Sequence, residues 1–420
     1  MFWIYQFFIY SYTLFLRFAA LFNGKARQWV SGRKNLISRI KREVVTNDPL
    51  VWFHCASLGE FEQGRPVIEA IKKSNPETKV FLTFFSPSGY EVRKNYEGAD
   101  WVYYLPPDTL SNARQLVHHL NPVLVFFVKY EFWFNYLNAL YNQRVPILFL
   151  SVIFRPSQYF FKWWGSWFRK QFQKITYFFV QDEQSADLLN QIGVHHVEVA
   201  GDTRFDRVLS LAQHKQKVEG VELFKQQSLL LAGGSTWPVD EQMLLEVMKK
   251  ASPEVKLLLA PHLVDDAHIA AIQQKFSSFH PVLFTDLSAG IPENCRVLVL
   301  NTIGMLSQLY QYADLAYVGG GFGVGIHNLP EAAVYGIPVV FGPNHQRFKE
   351  ALDLKRLKGG FSVSSEKIGE EIILDLLKDK GRRTEAGKNA RNYILGNSGA
   401  TFAVVDKAAS YLMAKTKSSI

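Results

Sequence analysis

The sequence predicts an α/β protein of two Rossmann-like, doubly wound domains, each a mostly parallel sheet covered by helices. Three observations carry this. The chain has 420 residues, more than a single hydrophobic core ordinarily serves. From residue 50 onward, short apolar runs alternate with amphipathic stretches, the pattern of βαβ units. The alternation breaks once, at the polar segment 214–227, and then resumes. With 48% hydrophobic and 20% charged residues, the composition is globular rather than disordered.

The chain opens with MFWIYQFFIYSYTLFLRFAALF, interrupted by one charge, Arg17. The run approaches the ~20 apolar residues that a bilayer span needs. It lacks the basic start and small-residue cleavage site of a removable signal peptide. A basic cluster follows at Lys25, Arg27, Arg33, Lys34, Arg39, Lys41 and Arg42, which predicts that the rest of the chain is cytoplasmic. Residues 1–24 are therefore expected to form an N-terminal membrane anchor. Whether this helix spans the bilayer, lies in its interface or is buried as a first domain helix stays open.

The first domain, 25–213, is expected to carry strands Val51–Ala56, Val80–Phe84, Trp101–Leu105, Val123–Val128, Ile147–Val152, Tyr177–Gln181 and Val197–Ala200. Between them lie the helical patterns Gly64–Lys73, Thr109–Leu120, Phe132–Tyr141 and Gln184–Ile192. Residues 214–227 read as a linker. The second domain, 228–420, restarts with Leu229–Ala232, Lys256–Ala260, Pro281–Phe284, Val297–Leu300, Leu315–Val318 and Pro338–Phe341. It closes with helices over Ile368–Lys378, Gly387–Ile394 and Ala403–Lys415, the last free to cross back to the first domain. Two such domains are expected to face a cleft, with ligands at the C-terminal ends of the strands.

The net charge of +9 suits acidic substrates, an anionic membrane face or nucleic acid. The segment 160–170, FFKWWGSWFRK, interleaves large aromatics with cations, which suits lipid tails and phosphates together. No nucleic-acid motif accompanies it. Cys55 and Cys295 follow no metal spacing, so a reduced chain without a zinc or iron–sulfur site is expected.

Candidate site residues stand where strands end. After the first strand comes HCASLGE, in which Ser57 and Gly59 shape a turn. There Glu60 is either a helix-start carboxylate or a general base toward a hydroxyl. After Val123–Val128 comes Lys129-Tyr130-Glu131, a second carboxylate with the same two readings. Ser86, Ser88 and Gly89 form a hydroxyl-rich loop that caps a turn or holds a sugar. Arg204, in GDTRFD, is an interdomain ion pair or a cation for a departing phosphate. In the second domain, Ser235 and Thr236, Pro261 and His262, and Ile303-Gly304-Met305 face the same edge. Gly319-Gly320-Gly321, running on to Asn328-Leu329-Pro330-Glu331, reads as a glycine-rich turn leading to an Asn-capped helix. That arrangement offers backbone N–H groups to a phosphate, and no dinucleotide register fits its glycines.

Taken in order, HCASLGE, TFFSPSG, KYEFW, GDTRFD, GGST, APH, NTIGML and GGGFGVGIHNLPEAAVYGIPVVFGP resemble the 3-deoxy-D-manno-octulosonic acid (Kdo) transferases of Gram-negative bacteria. The resemblance implies a GT-B glycosyltransferase fold with an acceptor-binding first domain and a nucleotide-binding second. It implies transfer of Kdo from CMP-Kdo to a lipid A precursor, lipid IVA, with inversion, on the cytoplasmic face of the inner membrane. No cofactor or metal is implied. Glu60 matches the general base, and Glu131 and Arg204 match residues of transition-state stabilisation. Pro261, His262, Ile303 to Met305 and Asn328 to Glu331 match CMP contacts, beside Ser235, Thr236, Gly320 and Gly321. Ser57, Gly59, Ser86, Ser88 and Gly89 would lie on the acceptor side. The chain departs from the family by reading Pro261-His262-Leu263 where many members carry Pro-Arg-His. It also reads Lys129-Tyr130-Glu131 where many carry Glu-Thr-Glu, and Arg204 where Lys is common. Two other readings compete: a GT-B enzyme using a UDP-sugar, as transferase or epimerase, and a non-catalytic membrane scaffold of envelope assembly.

Overall fold

The structure, a computed structural model, describes residues 1–416. Residues 417–420 of the expected second domain lie outside that range. The chain divides into two compact units. One is Met1–Asp206 together with the chain from Ser398 onward; the other is Arg207–Asn397.

The first unit is built on a seven-stranded parallel sheet. Its strands are β1 Leu50–Cys55, β2 Lys79–Phe84, β3 Trp101–Tyr104, β4 Leu124–Val128, β5 Ile147–Val152, β6 Tyr177–Val180 and β7 Val197–Val199. They lie in the order β3-β2-β1-β4-β5-β6-β7. β1, β4 and β5 are buried at every residue, as a parallel sheet covered on both faces requires. Their side chains therefore read as continuous apolar runs rather than alternations. Across the β1–β4 pair, Phe53 and Phe126 stack with ring centroids 4.5 Å apart.

The second unit repeats the plan. Its strands are β8 Leu229–Thr236, β9 Val255–Pro261, β10 Val282–Leu283, β11 Val297–Val299, β12 Leu315–Val318, β13 Val339–Phe341 and β14 Gly360–Ser362. They lie in the order β10-β11-β9-β8-β12-β13-β14, again all parallel. The short β14 carries no apolar run and was not foreseen.

The domain limits differ from the expected 25–213 and 228–420. The division falls inside the helix Thr203–Gln213. Half of the expected linker is helical, over Glu219–Lys225. Val218 N–H donates to the Tyr312 hydroxyl at 2.7 Å, and Lys225 pairs with Asp314 at 3.0 Å. Its polar residues are partners for a surface, which composition alone cannot separate from solvated linker. The final helix, Ala400–Thr416, packs on helix Leu58–Ser74 of the first unit.

The N-terminal run is helical over Phe2–Ala19, but the spanning form of the anchor is not upheld. No helix among the described residues is long and apolar enough to cross a membrane. One face of this helix docks on the first unit through polar groups. The Tyr5 hydroxyl donates to Asp108 Oδ2 at 2.5 Å, and Gln6 and Asn135 exchange side-chain hydrogen bonds at 2.7 and 3.3 Å. The other face is open, with Trp3 78% and Phe7 74% exposed. The basic cluster is not wholly solvated either. Arg33 lies against the rings of Trp29 and Tyr104 and donates to the carbonyls of Leu105 and Phe85. Burial pulls its guanidinium down to about 9.

Candidate active site

In each sheet the strand order reverses at one place, between β1 and β4 in the first unit and between β8 and β12 in the second. Loops leaving such a pair diverge, and α/β proteins bind ligands in the crevice beyond the strand ends. The residues singled out from sequence gather around these two places.

In the first unit, β1 passes through Ala56 and Ser57 into helix Leu58–Ser74. Glu60 stands in the first turn, where the helix dipole favours an anion, and the Ser57 hydroxyl donates to it. β4 ends at Val128, and Lys129 then bends left-handed at φ 60. A non-glycine residue holds that conformation only where its surroundings enforce it. The Lys129 ammonium comes to 3.9 Å from Glu60 Oε1. Glu131 follows, its Oε2 accepting from the Trp133 indole N–H at 2.9 Å. Burial pushes the Cys55 thiol well up, with Glu60 and Glu131 adding to the shift, so both carboxylates act on one spot. Burial also raises the Tyr130 hydroxyl, opposed by Arg155 and assisted by Glu60 and Asp202.

Arg204 makes an ion pair within its own unit, to Asp202. Its Nε and Nη2 both lie 2.9 Å from Asp202 Oδ2. Asp202 is buried, which works against its charge, yet Arg204 and the Gln63 amide hold its carboxyl below the usual range. Ser86 caps the helix Pro87–Arg93, its hydroxyl accepting from Ser88 N–H. Gly89 is needed for packing: a Cβ there would stand 3.0 Å from the Ser57 backbone and 2.4 Å from the Phe84 ring.

In the second unit the glycine turn departs from its expected use. Gly319 N–H donates to the Gly234 carbonyl and Gly320 N–H to Asp240 Oδ2 at 3.0 Å, so neither is free for a phosphate. Nor is there space beside these glycines. A Cβ on Gly319 would lie 2.5 Å from the Ser235 carbonyl, and one on Gly321 would lie 2.6 Å from Gly342 Cα. They let strand-end loops cross, a demand as strict as ligand approach. Asn328 does not cap the helix that follows. That helix, Pro330–Ala333, takes Leu329 as its first flanking residue, and Asn328 Nδ2 donates to Glu331 Oε1 at 2.7 Å.

Unspent polar groups remain nearby. Thr236 Oγ1, His327 Nε2 and Asn328 Oδ1 are buried without a hydrogen-bond partner. Ser235 bends left-handed at φ 51. The rings of Trp237, His262 and His327 stack in series, at 4.9 and 4.5 Å. Burial and the neighbouring His262 hold the His327 imidazole below its usual range. Ile303 and Gly304 form an open loop, Ile303 being 88% exposed and Gly304 left-handed.

Residues 31–207 match the family model of 3-deoxy-D-manno-octulosonic-acid transferase (kdotransferase). A Kdo transferase of Chlamydia trachomatis serovar A is 29% identical over 81% of this chain and 81% of its own. One of Haemophilus influenzae is 23% identical over 86% and 87%. The chain is thus similar to Kdo transferases over most of its length. Among solved structures, UDP-GlcNAc 2-epimerase of Neisseria meningitidis bound to UDP-GlcNAc superposes with TM-score 0.62 at 19% identity, covering 86% of this chain and all of that one. MurG of Acinetobacter baumannii gives 0.54 at 15% identity, covering 86% and 98%. These likenesses speak for the fold, two Rossmann-like domains of the GT-B kind.

The first unit brings Ser57, Glu60, Lys129 and Glu131 to one strand-end crevice, while Ser86 and Ser88 are occupied as a cap. The second unit gathers Thr236, His262 and Asn328 with Glu331. Sequence reasoning missed His54, Trp133 and Arg155 in the first unit, and Asp240 and His327 in the second. His54 and Trp133 lay inside quoted motifs, and Arg155 follows β5; that position was their only signal.

Proposed function

We propose that this protein, similar to Kdo transferases over most of its length, is an inverting glycosyltransferase that moves Kdo from CMP-Kdo to a lipid A precursor such as lipid IVA. The observation that carries the reading lies in the first unit. Two carboxylates, Glu60 and Glu131, stand at the strand-order reversal, the second of them beside an apolar groove of about 550 Å³ lined by Ile4, Phe8, Phe132, Trp164 and Phe168. Glu131 and Trp133 also line that groove. A sugar hydroxyl could meet a carboxylate there while an acyl chain lies on aromatic surface.

Glu60 would take the proton of the acceptor's primary hydroxyl. The oxygen then bonds to the anomeric carbon of Kdo as the bond from that carbon to the phosphate oxygen breaks, and the electron pair leaves with CMP. Glu131 would stabilise positive charge growing on the sugar, with Arg204 a further charge on the same side. The donor would be held by the second unit, through Ser235, Thr236, Pro261, His262, the loop at Ile303 to Met305, and Asn328 to Glu331. Protein charges and dipoles replace a metal in this reading. The helix Phe2–Ala19 would lie in the inner-membrane interface, on the cytoplasmic face, with its aromatic side in lipid.

The test is mass analysis of the product formed from CMP-Kdo and a tetra-acylated acceptor in the presence of EDTA. The wild-type chain should add Kdo. Glu60→Ala should retain thermal protection by CMP yet lose transfer by at least about 100-fold, the scale of general-base catalysis. Protection by UDP but not CMP would overturn the donor, and transfer by Glu60→Ala near the wild-type rate would overturn the base.

A further inference from the structure

A line of polar side chains runs from the core of the first unit to Glu131. Trp52 Nε1 donates to Thr83 Oγ1 at 2.8 Å, and Thr83 Oγ1 lies 2.9 Å from His54 Nδ1. His54 Nε2 lies 3.1 Å from Trp133 Nε1 and 3.6 Å from Glu131 Oε2, and that same indole N–H reaches Glu131 Oε2 at 2.9 Å. Trp52, His54 and Thr83 are all wholly buried. A parallel sheet's interior ordinarily holds apolar side chains, so three linked polar groups there call for a use.

The partners fix the protons. Indole N–H is a donor only, so His54 Nε2 must accept. A neutral imidazole that accepts at Nε2 carries its proton on Nδ1 and donates it to Thr83. Thr83 Oγ1 thus accepts from Trp52 and His54 and turns its own proton to the Phe53 carbonyl, 3.3 Å away. Every group in the line has a complementary partner.

The indole is held as firmly by packing. Its ring lies 4.8 Å from that of Phe85, whose carbonyl accepts from half-buried Arg33 at 2.7 Å. At the far end, Trp133 offers Glu131 a neutral donor. A lysine or arginine in that place would orient the carboxylate but cancel its charge; an indole orients it and leaves the charge whole. A group that must face positive charge developing on a sugar ring benefits from that difference.

We propose that Trp133 and His54 are positioning residues for Glu131: the indole N–H fixes its carboxylate, and His54, locked as the Nδ1–H tautomer by Thr83, fixes the indole. The use in catalysis rests on the transferase reading above; the geometry does not.

The central variant is Trp133→Phe, which keeps a ring against Phe85 and removes the N–H. Loss of a hydrogen bond to a charged group predicts a fall in kcat of about 10- to 100-fold, with KM for CMP-Kdo within about twofold. In a Glu131→Gln background, the same change should cost nothing further, because the two act as one unit. Thr83→Val should lower kcat while Thr83→Ser restores it. Wild-type kcat in Trp133→Phe, or fully additive losses, would overturn the proposal. Nitrogen-15 NMR of the histidine-labelled intact chain, with the His54 signal assigned through His54→Asn, reads the lock without activity. The Nδ1–H tautomer is expected in the wild type, with a displaced Nε2 signal in Trp133→Phe. A proton on Nε2 would overturn the relay. Should Glu131→Gln transfer Kdo as fast as wild type, the role given to Glu131 in the transferase reading fails; the NMR result then decides the relay by itself.

Discussion

Gly321 and Gly342 meet back to back where loops from β12 and β13 cross, with a built Cβ on either falling 2.6 Å from backbone of the other. Backbone cannot swing aside as a side chain can. Gly321→Ala should therefore destabilise the second unit by roughly 1–3 kcal/mol, as overpacking does, measured as a lower denaturation midpoint of the intact chain. Stability equal to wild type would mean that the loops are looser than their spacing. The same residues show how far sequence reading reaches at this scale. A glycine cluster after a strand is plain in the sequence, but whether the freed space admits a phosphate or another loop depends on a neighbour distant in the chain. Likewise Glu60 was legible, since a carboxylate just inside a helix start has few roles. His54 and Trp133 were not, because each gains its meaning from the other, 79 residues apart.

At the scale of the element, the N-terminal helix packs its Tyr5 ring 5.1 Å from that of Phe134 and is fastened besides by buried polar groups. Asp108 is their centre, accepting from the Tyr5 hydroxyl and from the backbone N–H groups of Asn135 and Tyr136. Burial pushes its carboxyl up to about 7 despite those hydrogen bonds. The folded chain thus holds a proton there that the unfolded chain, with a carboxyl near 3.8, has already released. That contribution to stability is fully present below about pH 4 and is lost as pH rises through about 7. Chemical denaturation of the intact chain should show the first unit losing on the order of a few kcal/mol across this window. Asp108→Asn should flatten the slope; an unchanged slope would place the titration elsewhere. The helix itself was legible from sequence, whereas its docking was not. Tyr5 and Gln6 read as ordinary members of the N-terminal run until Asp108 and Asn135 are found beneath them.

At the scale of the whole molecule, a net charge of +9 accompanies an exposed aromatic helix face. Apolar insertion and attraction to anionic lipid reinforce each other at a membrane interface. The intact chain should sediment with vesicles containing anionic lipid, less so as salt rises. Replacing exposed Trp3 and Phe7 together by Glu should abolish sedimentation and leave the denaturation midpoint unchanged. Vesicle binding that survives this pair of changes would assign the contact to another surface. Sequence by itself determined the α/β class, nearly every strand of the two sheets, the absence of a dinucleotide register and, through its ordered motifs, the resemblance to Kdo transferases. Those properties are written locally, in apolar runs, turns and strand ends, because each strand of a buried parallel sheet must be apolar in its own right. Tertiary structure decided the rest: that the chain from Ser398 rejoins the first unit, that the glycine turn spends its N–H groups on Asp240 and Gly234, and that Trp133 stands between His54 and Glu131. Each depends on which distant segments are brought side by side, and the strand order that does so leaves no local mark on the chain.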